Sequence, residues 1–337
     1  MGDWSRPQHK KVMDKVDSQA PNTFKDWINL DKVIIPCLKG TPIVKSWSDA
    51  NFKISEQEWQ QKYSHCEIAL RLDDDVDFDI DNDLVKRFID KYVVSCGAIS
   101  GRPTNPTSHY WWRGKLDFKQ FALPKELKNH FENFPHGGTL CEIRNGPTCY
   151  TIVPKSKHSK ANEYVAWEKF SGINQYPGDL NKDLRKVALS TALSILYGEK
   201  GKRDEYCTAI AGVLSTHTDW SEKDINDFVY NIAVVSNDEE ADKRSSKGTS
   251  VKKAKRKLGM PRLAEIVGCS EKTIADLFRW VGINHETTEG AAAVTEIIEY
   301  GSDRYFVKVK TKVNGILQEK EVTIDGPTLL NQKAFYD

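Results

Sequence analysis

Seven of the eleven residues from Asp73 to Asp83 are aspartates, and within this run Val76-Asp77-Phe78-Asp79-Ile80-Asp81 alternates acids with large apolar side chains. In a strand, residues two apart project to one face. Phe78 and Ile80 are therefore expected to enter a core, while Asp77, Asp79 and Asp81 crowd the other side. Carboxylates that close repel one another unless a cation sits among them, and hard divalent ions prefer oxygen ligands. The run does not read as a calcium loop of the EF-hand type. Starting from Asp77, Asn82 stands where glycine is needed and Phe88 where a bidentate glutamate is needed; starting from Asp73 or Asp75, Phe78 or Ile80 takes the glycine position. Without a cation, the same pattern describes a solvated acidic strand edge.

Further along, Ser100-Gly101-Arg102-Pro103 opens a turn into Ser108-His109-Tyr110-Trp111-Trp112, in which His109 shares the face of Trp111. Leu140-Cys141-Glu142-Ile143-Arg144 sets an acid and a base two apart on one strand face. Gly146 follows, and then Ile152-Val153-Pro154-Lys155-Ser156-Lys157-His158. Taken singly, these segments read as a structural histidine, a surface ion pair and a basic loop. His130, His136, Cys141 and Cys149 match no closed zinc spacing, and Cys141 neighbours Glu142, so zinc is not expected.

The ordered set is more specific than its parts. Asp-x-Asp, Ser-x-His, Glu-x-Arg, then Pro-x-Ser-x-His and Trp167 resembles the archaeo-eukaryotic primase superfamily, and more narrowly the primase-polymerase domain carried by phages and plasmids. Ile35-Pro36-Cys37-Leu38-Lys39-Gly40-Thr41-Pro42, followed by Trp47, is similar to the first strand of that domain, and the resemblance covers about Asp31 to Trp167. It implies an α+β catalytic domain of mixed sheets with flanking helices and an RRM-like unit, followed by an all-α helical bundle. It also implies that Asp77, Asp79 and Glu142 are the catalytic acids and hold two divalent ions, Mg²⁺ or Mn²⁺, with Asp81 as a contender for a first-motif position. His109 would bind the phosphates of an incoming nucleoside triphosphate, and Arg144, Ser108, Ser156, His158 and Arg102 would be further nucleotide contacts. The third acid is Glu where Asp is also common in that family.

The chemistry agrees with this inventory. In phosphoryl transfer two metals can activate an attacking 3′-hydroxyl and stabilise pyrophosphate, while positive side chains absorb charge on the phosphate oxygens. No GxxxxGK[ST] loop is present, so no ATPase motor is read from the chain.

The elements that must position these residues are short β-like runs between about Pro21 and Trp167, at Lys32–Leu38, Glu67–Leu72, Val76–Asp81, His109–Trp112 and Tyr150–Val153, with a helix over Leu84–Tyr92. From Leu180 to about Ala241 the pattern becomes helical. Leu184, Val187, Ala188, Leu189, Ala192, Ile195 and Leu196 repeat at helical spacing, and Ser221 heads a capping box. This block resembles the helical domain that follows the catalytic domain in many such primases and assists primer initiation and template binding, which makes Arg203 a candidate DNA contact. Arg262 to Gly282 reads as a helix-turn-helix in which Ser270 starts a recognition-type helix carrying Lys272 and Arg279. The same two helices could instead complete the bundle.

Eight of the fifteen residues from Lys243 to Lys257 are Lys or Arg, which reads as a solvated basic linker without a core. After it, Arg304–Lys310 and Glu319–Ile324 alternate as strands around the hairpin signal Asn314-Gly315. The expected division is a catalytic domain over 1–175, a helical domain over 176–282 and a strand-containing module over 283–337 that reads as cut short. The family often carries a helicase module there.

The 337 residues carry 49 Lys+Arg against 48 Asp+Glu, a net charge of +1, with 39% hydrophobic and 29% charged residues. Nine Trp and 10% aromatics argue against a disordered chain. No apolar run is long enough to cross a bilayer, and the N-terminus lacks an apolar signal region. Seven Cys without a CxxC pair fit reduced thiols in a cytoplasm, and the resemblance implies that this is the cytoplasm of a bacterial or archaeal host. The near-zero net charge does not exclude single-stranded DNA as a partner, because it sums an acidic and a basic segment.

Overall fold

The fold is organised along one long strand. The computed structural model describes residues 20–80, 82–94, 96–132, 137–158, 161–254 and 258–283, together with the backbone of strands within 293–325. Asp81, His136, Asn314 and Gly315, and the end of the basic run at 255–257, lie outside the described residues.

In the strand-rich part, α1 (Phe24–Asn29) precedes β1 (Ile34–Leu38), β2 (Thr41–Pro42) and the single turn α2 (Glu56–Glu58). Then come β3 (Glu67–Ile80), α3 (Asp83–Tyr92), β4 (Ala98–Arg102), β5 (Asn105–Arg113), β6 (Gln120–Ala122) and α4 (Lys128–Phe131). β7 (Thr139–Ile152), β8 (Lys157–His158), β9 (Glu163–Tyr164) and β10 (Ala166–Phe170) complete it. The two acidic-strand segments expected to be separate, Glu67–Leu72 and Val76–Asp81, are one strand. Its pairing with β7 breaks between Leu72 and Val76, which absorbs the intervening aspartates as an irregularity rather than a turn.

Eight strands form an antiparallel sheet in the order β10–β4–β5–β3–β1–β2, with β7 also on β3 and β6 on β7. β7 accompanies β3 along its length; β1 and then β5 take the other edge. One face of β3 buries Val76, Phe78 and Ile80 against Val85, Phe88 and Ile89 of α3. Asn82 turns the chain directly from β3 into α3 by accepting a hydrogen bond from the Leu84 amide at 2.8 Å. On the other side, Leu70, Leu72, Trp111 and Val153 pack with Trp27 and Trp167. Full burial of side chains of this size contributes about 1.5–3 kcal/mol each.

The helical part contains α5 (Leu180–Ile195), α6 (Arg203–His217), α7 (Glu222–Val235), α8 (Ala241–Arg244), α9 (Lys247–Lys253), α10 (Met260–Val267) and α11 (Glu271–Phe278). The α5 repeat is buried from Leu184 to Ala192, and Ser221 caps α7 with the expected box to Asp224. The core under α3 continues without interruption through α5, α6 and α7, so sheet and helices share one interior. Within the helical part, Gly212 on α6 lets the segment before α10 approach closely: a Cβ there would sit 1.8 Å from the Leu258 carbonyl oxygen.

The described part of the basic run is not a linker. Over Ala241–Lys253 it folds as α8 and α9 and buries Arg244, Gly248 and Val251. Arg244 donates to Asp238 at 3.1 Å, Asp204 at 2.6 Å and Glu240 at 3.0 Å, and Lys247 reaches Asp204 at 2.7 Å. Acids from α6 and from the loop after α7 neutralise what local composition presents as a solvated charge block.

α10 and α11 form the expected helix-turn-helix, with Gly268 left-handed at φ 79° and Ser270 capping α11. Both helices pack into the body: α10 meets α6 and α11 meets α5, and the Trp280 ring lies 5.2 Å from that of Phe121. The Ser270 amide and hydroxyl each donate to the Glu126 carboxylate at 2.7 Å, and the Thr273 hydroxyl donates to it as well.

The chain divides into two compact units, the second beginning at Asn284. That second unit contains β11 (Ala293–Glu299), β12 (Arg304–Val313) and β13 (Ile316–Asp325) in an antiparallel sheet, with Val313 paired to Ile316. Among the described residues no helix is long and apolar enough to cross a membrane.

Asp238 is one of three acids on Arg244, so removing it leaves the buried guanidinium with Asp204 and Glu240 and costs about 1–3 kcal/mol. Asp238→Ala is expected to lower unfolding stability by that amount in a denaturant titration. An unchanged midpoint would show that the α8–α9 segment is not anchored by this pair.

Candidate active site

The register of β3 against its two neighbours assembles the site. Asp77 stands opposite Trp111 on β5 and Arg144 on β7, while Asp79 stands opposite His109 and Glu142. Because each pair is two residues apart on its own strand, Asp77, Asp79, His109, Glu142 and Arg144 all fall on one face. Residues up to 67 positions apart in sequence thereby become direct neighbours.

His109 Nδ1 lies 2.9 and 3.1 Å from the two carboxylate oxygens of Asp77, and its Nε2 lies 3.7 Å from Asp79 Oδ1. Arg144 Nη1 donates to Asp77 at 3.2 Å, and Nη2 donates to Asp79 at 2.5 Å and to Glu142 at 3.5 Å. Thr151 supplies a further acceptor to Arg144 Nη1 at 3.4 Å. Exposure rises across the cluster: the Asp77 side chain is 0% exposed, Asp79 11%, Arg144 31% and Glu142 51%. The site thus opens to solvent at its Glu142–Arg144 end.

The electrostatics follow from this arrangement. Burial alone raises the Asp77 carboxyl, but the adjacent His109 and Arg144 outweigh it and hold the group below its ordinary value of 3.8. Burial alone lowers the His109 imidazole, but Asp77 and Asp79 outweigh it and raise the group above 6.5. Desolvation likewise opposes the charge on Arg144, and Asp79, Asp77 and Glu142 overcome it.

Three carboxylates face the Arg144 guanidinium and an imidazole whose protonation they favour, which leaves negative charge at the solvent-facing end. Asp79 and Glu142 present hard oxygen donors opposite each other, a donor set that fits Mg²⁺ or Mn²⁺. Both oxygens of Asp77 are committed to His109 and Arg144. Among the described residues no group of three or more potential ligands stands ready to hold an ion; the Arg144 guanidinium bridges the three carboxylates instead.

The remaining expected contacts lie elsewhere. Ser108 is fully buried and, next to His109 on β5, points to the opposite face; its hydroxyl has no hydrogen-bond partner among the described residues. The Ser156 hydroxyl is used inside the fold, accepting from the Ile68 amide at 2.8 Å and donating to the Ile68 carbonyl at 3.1 Å. Arg102 stands 4.0 Å from Glu163, and His158 Nδ1 accepts from the Ala161 amide at 3.1 Å. His158 pairs with Glu163 across β8–β9, so these two basic residues belong to a separate hairpin corner. Arg203 is engaged by Glu239 at 2.6 Å and Asp238 at 3.6 Å, and Arg279 by Asp276 at 2.7 Å. Lys272 is exposed and makes no ion pair among the described residues. Cys141 points into the core beside Glu142, where burial pushes its thiol up.

Three participants escaped sequence reasoning. Asp75, on the same face of β3 as Asp77 and Asp79, is buried and accepts a 2.5 Å bond from Lys32 Nζ. The alternation of acids, followed two residues upstream, signals Asp75; Lys32, 43 positions away, carries no local signal. Thr151 is likewise brought in only by the course of β7.

A raised histidine contributes stability that is complete below its unfolded value and is lost as pH rises through its folded one. The stability difference between wild type and His109→Gln is expected to be largest near pH 6 and to shrink as the solution becomes more alkaline. A pH-independent difference in paired denaturant titrations would rule out the charged His109–Asp77 pair.

Comparison of the chain with protein-family models, with curated proteins and with solved structures found no match, so the geometry of the site itself carries the functional reading.

Proposed function

We propose that the chain is a DNA-templated primase-polymerase that makes and extends primers on single-stranded DNA from nucleoside triphosphates. The observation that carries this reading is the convergence of Asp77, Asp79, His109, Glu142 and Arg144 on one sheet face. These are the side chains that the acid–histidine–acid resemblance names. In this reading the strand-rich part is a primase-polymerase catalytic domain, and the helices sharing its core hold the template. A phage- or plasmid-encoded protein acting in the cytoplasm of a microbial host accords with the resemblance and with the free cysteines.

Asp79 and Glu142 would hold Mg²⁺ or Mn²⁺, with Asp77 joining when Arg144 releases it. Bound there, the ions supply Lewis-acid activation of the primer 3′-hydroxyl and neutralisation of the departing pyrophosphate. The protein's own groups orient the substrate. His109, whose cationic form Asp77 and Asp79 favour, would donate to the triphosphate, and Arg144 would absorb charge on its oxygens. Asp77 fixes the imidazole by bonding Nδ1, which leaves Nε2 as the donor toward the nucleotide.

A second reading, a DNA-binding replication initiator without catalysis, draws on the helix-turn-helix and on the exposed Lys272. It is the weaker of the two, because Glu126 covers the first turn of α11, the end such a helix offers to the major groove.

Unprimed synthesis on a single-stranded oligonucleotide with labelled nucleotides and Mg²⁺ or Mn²⁺ tests the proposal. Asp79→Ala and His109→Ala are each expected to cut product by about a hundredfold or more, the typical effect of removing one preorganised electrostatic group. Undiminished synthesis in both variants overturns the site assignment. Sequence-specific duplex binding that Lys272→Ala abolishes, with no nucleotide incorporation, favours the second reading.

A further inference from the structure

Arg144 is more deeply committed than a simple phosphate contact needs to be. One guanidinium bonds carboxylates from three residues on two strands, with Asp79 at 2.5 Å, Asp77 at 3.2 Å and Glu142 at 3.5 Å. Those are the same carboxylates that the proposed metal site uses, and a carboxylate lone pair cannot serve both a guanidinium and an ion at once. A planar five-donor fork is the side chain best suited to bridging several carboxylates, and it carries one positive charge where a divalent ion would carry two.

The surroundings make exchange feasible. The Arg144 side chain is 31% exposed at the Glu142 end of the cluster, so it has a way out to solvent. Asp77, fully buried, keeps the bifurcated hydrogen bond from His109 Nδ1 when the guanidinium leaves, and therefore is not stranded as an unpaired buried charge.

We propose that Arg144 is a place-holder cation: it occupies the carboxylate cluster in the empty chain and vacates it when a divalent ion enters. Arg144 is thus a positioning residue with two stations. In the first it lets three carboxylates share a sheet face; in the second its released fork meets the triphosphate. Metal and nucleotide binding are coupled in consequence, because the nucleotide gives the displaced guanidinium a new partner. The proposal rests on the reading of Asp79 and Glu142 as metal ligands. If the guanidinium holds the cluster about 90–99% of the time, apparent metal affinity is about ten- to a hundredfold weaker than the intrinsic affinity.

The test uses the full chain and Mn²⁺ alone, titrated calorimetrically without nucleotide, alongside thermal unfolding with and without the ion. Arg144→Met is expected to bind Mn²⁺ at least about tenfold more tightly than wild type. Its melting temperature should lie below that of wild type without Mn²⁺ and recover on adding it. Arg144→Lys, whose single ammonium cannot span all three acids, should show an intermediate gain and carries the test if the Met variant does not fold. Mn²⁺ affinity that is equal to or weaker than wild type in a folded Arg144 variant overturns the proposal. Asp79→Asn separates the two levels. Binding that depends on Asp79 but ignores Arg144 defeats the place-holder alone, whereas binding indifferent to Asp79 defeats the metal site as well.

Discussion

The repulsion among carboxylates on one face of β3, and its neutralisation by His109 and Arg144, is the constraint on which the site depends. Asp77 is buried completely, and a buried carboxylate persists only when its charge is matched and its oxygens are bonded. His109 comes from β5 and Arg144 from β7, the two strands that flank β3 at this point. Correct pairing of the sheet and neutralisation of the acids are therefore one event. A one-residue slip of either neighbour would turn its cation to the opposite face and leave Asp77 uncompensated.

Behind that polar face the sheet is held by the alternate residues of the same strands. Val76, Phe78 and Ile80 pack on α3, and α3 in turn packs on α5 and α7. The helical part is thus anchored directly behind the acidic strand rather than tethered through a linker. The segment most suggestive of a linker, the basic run, is anchored by Arg244, whose three acidic partners come from α6 and the loop after α7.

Glu126 adds a second tie between the strand-rich and helical parts. It accepts from the first turn of α11, where helix amides lack partners of their own. With Phe121 against Trp280 and Arg185 bonded to the Trp280 carbonyl at 2.7 Å, the helix-turn-helix is built into the same body as the sheet. A DNA-reading role for α11 requires that first turn to be uncovered.

Much of this was legible in the sequence because it is local. Alternation with period two identified the strand faces of Asp77–Ile80, His109–Trp112 and Glu142–Arg144. Helical spacing and the Ser221 and Ser270 caps identified α5, α7 and α11, since side-chain direction and capping depend on residues within one turn. The ordered motifs also named the five residues that the structure gathers on one face. What local pattern left open was pairing. That Arg144 lies among the carboxylates, that Ser156 turns its hydroxyl to Ile68, that Lys32 neutralises Asp75 and that the charges of α8 and α9 are answered by Asp204 and Asp238 all depend on strand register and helix packing. These are contacts across tens of residues, set by which partner completes the burial and hydrogen bonding of the whole. The sequence alone determined which residues could carry the chemistry; only the tertiary structure decided which charges meet, because neutralising a buried charge requires a partner that no neighbouring position supplies.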